Sequence, residues 1–379
     1  MGLWLNPGVA RGKRYKLPAS TGGGAGCFYW ILAALLVAGI VWVWQKTSRR
    51  APPPEIVSTP ALQKPVSVPP PQQVAPPTSR PIPSSAPVTQ SGALFRAPQN
   101  VFEAQLALSR LGISVGSLDG VMGSQTRAAL LAFQHRERLP LTGALDEVTR
   151  SRLVVENHPI VSHWVSSNDL ARLQPVAPTW LGKSQQSALD YETILELIAE
   201  QSHANPKFIV ALNPGVHWSN VVVGLELRVP RAAYPDPTEM AASVRISLSG
   251  KTLQAFGAQS NLLVHFPCSI AQRVEKRPLG ELRVAAIAPN PNYTFNPEIF
   301  PESPEAQSIG RKLILPPGPN NPVGVAWISL DRPGYGIHGT PSPEQVGRTE
   351  SHGCFRLANW NAEYLLKLVR VGTPVYVEP

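Results

Sequence analysis

Ile337-His338-Gly339-Thr340, followed by Ser351-His352-Gly353-Cys354-Phe355-Arg356-Leu357, is the stretch from which the rest of the chain is read, with fifteen residues between His338 and Cys354. Cysteine is scarce, at 3 in 379 residues, and this one stands between a glycine and a bulky residue with histidines close by. A thiol is mostly protonated at neutral pH and the thiolate is the nucleophile. A cysteine meant for chemistry therefore needs a base or a positive field nearby. His338 is the candidate base and Cys354 the candidate nucleophile. No Asp or Asn adjoins His338, so a backbone carbonyl is left to orient its ring. Gly353 allows close backbone approach to a reacting carbonyl, and the amides of Gly353 and Cys354 are candidate donors to a developing oxyanion. The competing reading is a Cys268–Cys354 disulfide, since these are the two cysteines an exported part would hold.

Outward from this stretch the pattern is β-rich. Residues 243–248, 253–256 and 262–270 are alternating or fully apolar runs separated by Gly or Asn, and they predict strands, with Cys268 a buried strand residue. Residues 289–322 are proline-rich and aperiodic; a loop of that length in a compact domain is usually functional, and it reads as a lid on the substrate side. Asn359 is placed to cap one late helix, 360–370, with Ala362, Leu365, Leu366 and Val369 inward and Gly372 beyond its end.

These residues carry a resemblance. The two motifs, the segment Leu315-Pro-Pro-Gly-Pro-Asn-Asn-Pro-Val-Gly-Val-Ala-Trp327 and Gly372-Thr-Pro-Val-Tyr376 together resemble the L,D-transpeptidases of bacterial cell walls over residues 242–378. The resemblance implies a sandwich-like β fold and Cys354 as nucleophile. It also implies His338 as base, with the carbonyl of Gly339 orienting it. Ser351, His352 and Arg356 fall on motif positions: Ser351 to hold the turn, His352 to line the pocket, Arg356 to pair with a substrate carboxylate. The implied chemistry is attack on a peptidoglycan tetrapeptide stem with release of D-alanine. The acyl group then passes to an amine of a neighbouring stem as a 3→3 cross-link, and carbapenems would acylate the same thiol. Water as acceptor would make a carboxypeptidase, and a protein lysine a wall-anchoring enzyme. A wall-binding scaffold with an idle site and a wall-cleaving cysteine peptidase are the readings from other classes. Phe355, where the family often has an aliphatic residue, is expected to alter the pocket rim.

Two further modules precede this one. Residues 99–155 read as a small all-α domain of three helices. The first is 101–111, with Phe102, Leu106, Leu108 and Leu111 apolar. The second is capped by Ser124 and carries Ala128, Leu131 and Phe133. The third is capped by Asp146 and ends near Val154. The series from Asp119-Gly120 through Phe133-Gln134 to Leu153 resembles the three-helix peptidoglycan-binding module. Residues 156–188 read as a connector. Residues 189–231, a helix with Ile194, Leu195 and Ile198 on one face, then Asn213-Pro-Gly215 and a strand closing on Val229-Pro230, resemble a degenerate LysM glycan-binding α/β module without its usual first strand.

Before these modules, residues 1–98 hold ten basic residues against Glu55, which accounts for the whole net charge of +9; the remaining 281 are balanced. Basic character thus belongs to the tail and suits anionic lipid or wall polymer rather than nucleic acid. Residues 1–26 read as a basic cytoplasmic tail, and 27–44, eighteen residues without a charge and flanked by aromatics, read as an uncleaved transmembrane anchor. The competing reading is a cleaved signal peptide, but no A-x-A-like site follows the apolar run. Residues 45–98 are a linker; 51–98 hold 14 of the 41 prolines and few large apolar side chains. In polyproline II it would reach on the order of 100 Å or more, matching an enzyme anchored in a membrane and working on peptidoglycan stems and glycan outside the cytoplasm. The remaining histidines show no metal spacing, and no cofactor is implied.

Overall fold

The computed structural model describes residues 95–156, 158–299, 303–349 and 353–379. These lie in one compact unit, Ser85–Pro379. The basic tail, the apolar segment 27–44, nearly all of the linker, and Ser351 and His352 lie outside the described residues. Among the described residues no helix is long and apolar enough to cross a membrane.

Strand β1 (Phe95–Arg96) pairs with β2 (Val155–Glu156) and brackets three helices, α1 (Val101–Arg110), α2 (Ser124–Arg136) and α3 (Glu147–Arg152). Asn100 accepts the Glu103 amide at 2.9 Å and Asp146 the Thr149 amide at 2.8 Å, each satisfying an N–H left over at a helix start. Ser124 is not a cap: it is the first residue of α2, and Gly123 stands at the cap position without a side-chain bond. The inward face of α2 also differs from expectation. Ala129, Leu130 and Phe133 are buried, whereas Leu131 is 40% exposed. In a run reading Ala-Ala-Leu-Leu-Ala the apolar pattern is the same after a one-residue rotation, so tertiary packing decides.

The stretch expected to be a connector holds β3 (Ile160–Trp164), α4 (Ser167–Ala171) and α5 (Trp180–Ser184). After it come α6 (Ile194–Gln201), α7 (Pro206–Leu212) and β4 (Glu226–Pro230). β3 pairs antiparallel with β4, Ile160 opposite Pro230 and Trp164 opposite Glu226. No residue of β3 is fully buried, which is why its sequence shows no strand period. The result is a strand–helix–helix–strand unit with α4 and α5 inserted after its first strand. Its core is continuous with that of the three-helix unit: Leu106, Phe133, Leu197, Ile209 and Leu227 belong to one buried cluster.

The C-terminal part comprises β5 (Ser243–Ser247), β6 (Thr252–Phe256), β7 (Leu262–Pro267), β8 (Gly280–Pro289), β9 (Tyr293–Phe295), α8 (Pro304–Ile309), β10 (Leu313–Leu315), β11 (Ala326–Leu330), β12 (Gly336–His338), β13 (Phe355–Arg356), α9 (Asn359–Leu368) and β14 (Pro374–Glu378). Eight of these strands form one sheet in the order β13-β12-β11-β8-β14-β5-β6-β7. The sandwich-like expectation becomes a single curled sheet because β8 is long enough to serve two neighbours. Its residues 280–283 pair with β14 and 284–289 with β11. One core, including Ile246, Phe266, Ile328, Phe355 and Leu365, fills the curl. At the β7 edge, Gly112–Ser114 of the three-helix unit pair with His265, with Ser114 N donating to His265 O at 2.8 Å, so the edge is covered rather than exposed.

The aperiodic segment 289–322 is not a bare loop. β9 and β10 pair antiparallel, and with α8 they enclose a small core of Phe295, Ala306, Leu313 and Leu315, into which Leu189 is also packed.

Candidate active site

The edge of the curled sheet sets the site. β12 lies between β11 and β13, with His338 opposite both Trp327 and Arg356. Because side chains alternate along a strand, Cys354 and Arg356 turn to one side and Phe355 to the other. Phe355 is 1% exposed and belongs to the core; it is not at the pocket rim, contrary to expectation. Cys354, Gly353, His338 and Arg356 line a single cavity of about 610 Å³ with Trp327 and Tyr293 among its walls. Gly339 lies behind His338. Ser351 and His352, which precede Gly353, lie outside the described residues.

His338 is buried, and its Nδ1 is 2.6 Å from the carbonyl oxygen of Gly339. A carbonyl can only accept, so the proton is on Nδ1 and the lone pair is on Nε2. Burial, opposed by that hydrogen bond and reinforced by the Arg356 charge, brings the imidazole down to about 4. Trp327 stacks on the ring, centroids 5.6 Å apart at 26°. Gly336 is glycine for this reason: a Cβ there would stand 2.6 Å from the Trp327 ring.

Cys354 is half-buried and its Sγ donates to the Gly334 carbonyl at 3.5 Å. Burial pushes the thiol up, while the Gly336 amide and the Arg356 charge pull the other way. At rest the pair is therefore neutral thiol and neutral imidazole, with the Arg356 cation close enough to act on both. Among the described cysteines no disulfide forms: Cys268 is fully buried, and both thiols are reduced.

Three contributors escaped the sequence reading. Asn359 does not cap α9; it is the helix's first residue, after Ala358. Its side chain reaches back instead, Oδ1 accepting Thr340 N at 2.9 Å and Val325 N at 3.4 Å. It thereby fixes the turn that carries the Gly339 carbonyl. A Cβ on Gly339 would come within 2.2 Å of Asn359 Oδ1, and one on Gly324 within 1.9 Å, so both glycines make room for this amide. Trp180, from α5 of the preceding unit, also lines the cavity. It stacks on Phe295 at 4.4 Å, and its amide donates to Glu305 at 2.6 Å. Lys276 adds a second cation to the wall. The only local signal was Asn359 as a helix cap; Trp180 and Lys276 had none.

A thiol and a tautomerically fixed imidazole opening on one cavity are the parts from which cysteine-nucleophile acyl-transfer enzymes are built. Comparison with known proteins narrows the class. Residues 241–377 match the YkuD family model, the L,D-transpeptidase catalytic domain, and residues 98–153 match the model described as "Putative peptidoglycan binding domain". The chain is 26% identical over 185 residues to "Putative L,D-transpeptidase YkuD" of Bacillus licheniformis, covering 49% of this chain and 93% of that protein. It is 28% identical over 184 residues to "Probable L,D-transpeptidase YbiS" of Escherichia coli, covering 48% of this chain and 58% of that one. Among solved structures, an L,D-transpeptidase from Mycobacterium smegmatis aligns at 20% identity and a TM-score of 0.29, over 42% of this chain and 65% of that one. The chain carries an L,D-transpeptidase catalytic domain of the YkuD family, preceded by a peptidoglycan-binding domain, and it is an enzyme of that kind.

Proposed function

We propose that the enzyme cross-links peptidoglycan by acyl transfer through Cys354. The observation that carries this reading is the shared cavity, in which Cys354 and an imidazole with its lone pair on Nε2 meet beside Arg356. As Sγ bonds to the stem carbonyl carbon, its proton passes to Nε2 of His338. The oxyanion that forms is held by the amides of Gly353 and Cys354. The C–N bond to the terminal D-alanine breaks, the departing amine takes the proton from Nε2, and a thioester remains. An amine of a neighbouring stem attacks it, giving its proton to Nε2; that proton returns to sulfur, and a 3→3 link results. Arg356 binds a stem carboxylate, and Ser351 and His352 shape the turn and pocket before Gly353.

In this reading the three-helix domain and the strand–helix–helix–strand unit, a LysM-like module, hold the glycan. The apolar segment 27–44 anchors the enzyme in a membrane, with residues 99–379 in the cell envelope outside. The test is to incubate the full chain and Cys354→Ala with disaccharide-tetrapeptide and read the products by mass spectrometry. A dimer lighter by one D-alanine, absent with the variant, is the expected result. Tripeptide alone would make water the acceptor and the enzyme a carboxypeptidase. Turnover unchanged in the variant would sink the cysteine mechanism.

A further inference from the structure

The active-site turn is held from outside the catalytic domain. Asn359 uses every hydrogen-bonding position it has: Oδ1 takes the Thr340 and Val325 amides, while Nδ2 donates to Pro319 O at 3.2 Å and to both carboxyl oxygens of Glu200 at 3.1 Å. Glu200 belongs to α6 of the preceding unit, 159 residues away in sequence. One turn earlier on the same face, Glu196 accepts from Asn320 Nδ2 at 2.6 Å, as the i, i+4 spacing of a helix allows. Two carboxyl groups of one helix thus grip two side-chain amides of the catalytic domain. The backbone joins in, with Leu189 N donating to Pro317 O and Asn320 N to Leu189 O, both at 2.9 Å. Gly318 admits this approach, since a Cβ there would lie 2.2 Å from Leu189 O.

We infer that Glu200 is a positioning residue for the reaction: through Asn359 it sets the 339–340 turn, and through the Gly339 carbonyl it sets the Nδ1–H tautomer and aim of His338. The inference rests on the reading of His338 as base. Its geometry is continuous, running from Glu200 to Asn359 Nδ2, from Asn359 Oδ1 to Thr340 N, and from Gly339 O to His338 Nδ1, with no water or solvent-exposed group needed. Burial raises Glu200 to about 8 and Tyr191 donates to it at 3.2 Å, so near neutrality the carboxyl is held neutral and in place. Without it, one N–H of a buried amide has no acceptor, and turning that amide to find one also withdraws Oδ1 from Thr340. The strand–helix–helix–strand unit thereby positions the base rather than serving only as a tether.

The experiment uses the full chain and follows iodoacetamide alkylation of Cys354 by peptide mass against pH, so that no substrate need be assumed. Alkylation requires the proton to leave Sγ, and His338→Ala gives the profile expected when no imidazole assists. Glu200→Ala is expected to move the profile toward that of His338→Ala, slowing alkylation at neutral pH on the order of tenfold. Glu200→Gln, which keeps an oxygen for Asn359, is expected to recover most of that loss. Tyr364→Phe removes a bond from α9, the helix that begins at Asn359, to Pro235 O, 2.7 Å in length, without touching Asn359, and is expected to leave the profile alone. A wild-type profile in a folded Glu200→Ala protein overturns the inference, as does an equal loss in Tyr364→Phe. An unchanged profile in His338→Ala overturns the reading beneath it, and the two failures are thus distinguishable.

Discussion

The two described cysteines occupy neighbouring regions that look alike until their surroundings are compared. At the end of β7, Cys268 stands near His265; at β12 and β13, Cys354 shares a cavity with His338. Burial raises both thiols and lowers both imidazoles, each histidine to about 4. Arg356 biases both cysteines, and its backbone pairs with Ser269 beside Cys268. Two things differ. Cys354 opens on a cavity, whereas Cys268 has no exposure and donates to its neighbour's carbonyl at 3.5 Å. The tautomers are also opposite. His338 gives Nδ1–H to Gly339 O, leaving Nε2 to accept. His265 Nδ1 takes the Gln254 amide at 3.1 Å, leaving its proton on a buried Nε2 without a partner. A shifted thiol and a shifted imidazole do not by themselves make a candidate site; access to a cavity and the placement of one proton separate the two pairs.

The widest break between the regions should come from the thiols themselves. Cys354→Ala is expected to abolish product formation in the stem assay, and retained turnover would mean that the nucleophile lies elsewhere. His338→Ala should lower kcat/KM by roughly 10²–10⁴, measured with the same substrate. Acid should then weaken both regions together. A histidine held near 4 when folded but at its ordinary 6.5 when unfolded binds more protons in the unfolded chain. Its contribution is intact above pH 6.5 and lost as pH falls toward 4. Thermal melting across that window should show the fall, shallower in a His265→Gln variant. Cys268→Ser, which puts a hydroxyl in an apolar core, should cost about 1–3 kcal/mol of stability in denaturant titrations while leaving turnover intact. Phe355→Leu should cost about 1 kcal/mol and leave substrate selection as it was, because the ring faces the core.

What the sequence disclosed follows the same division. The motifs around His338 and Cys354 are legible because each is a short run of histidine, glycine and a small or reactive residue; that β12 and β13 bring the two onto one cavity is visible only in the fold. Strands β5 to β7 show in their apolar runs. β3 was hidden because a strand with no fully buried residue has no period to read. Asn359 looked like a cap because asparagine before a helix usually is one; only the fold shows that its amide is committed to Thr340. Trp180 and Glu200 carry no local mark, as their partners lie 125 and 159 residues away and a tryptophan or a glutamate on a short helix is unremarkable alone.

Trp180 has a consequence for inheritance. Wall enzymes with separable modules can trade them by recombination, each piece bringing its own function across a neutral seam. Here a seam cut at residue 241 would carry away the indole that backs Phe295 and faces the cavity of Cys354. A descendant that exchanged its N-terminal modules would inherit the motif intact and the pocket altered, so the lineage of this enzyme is expected to keep its domains together.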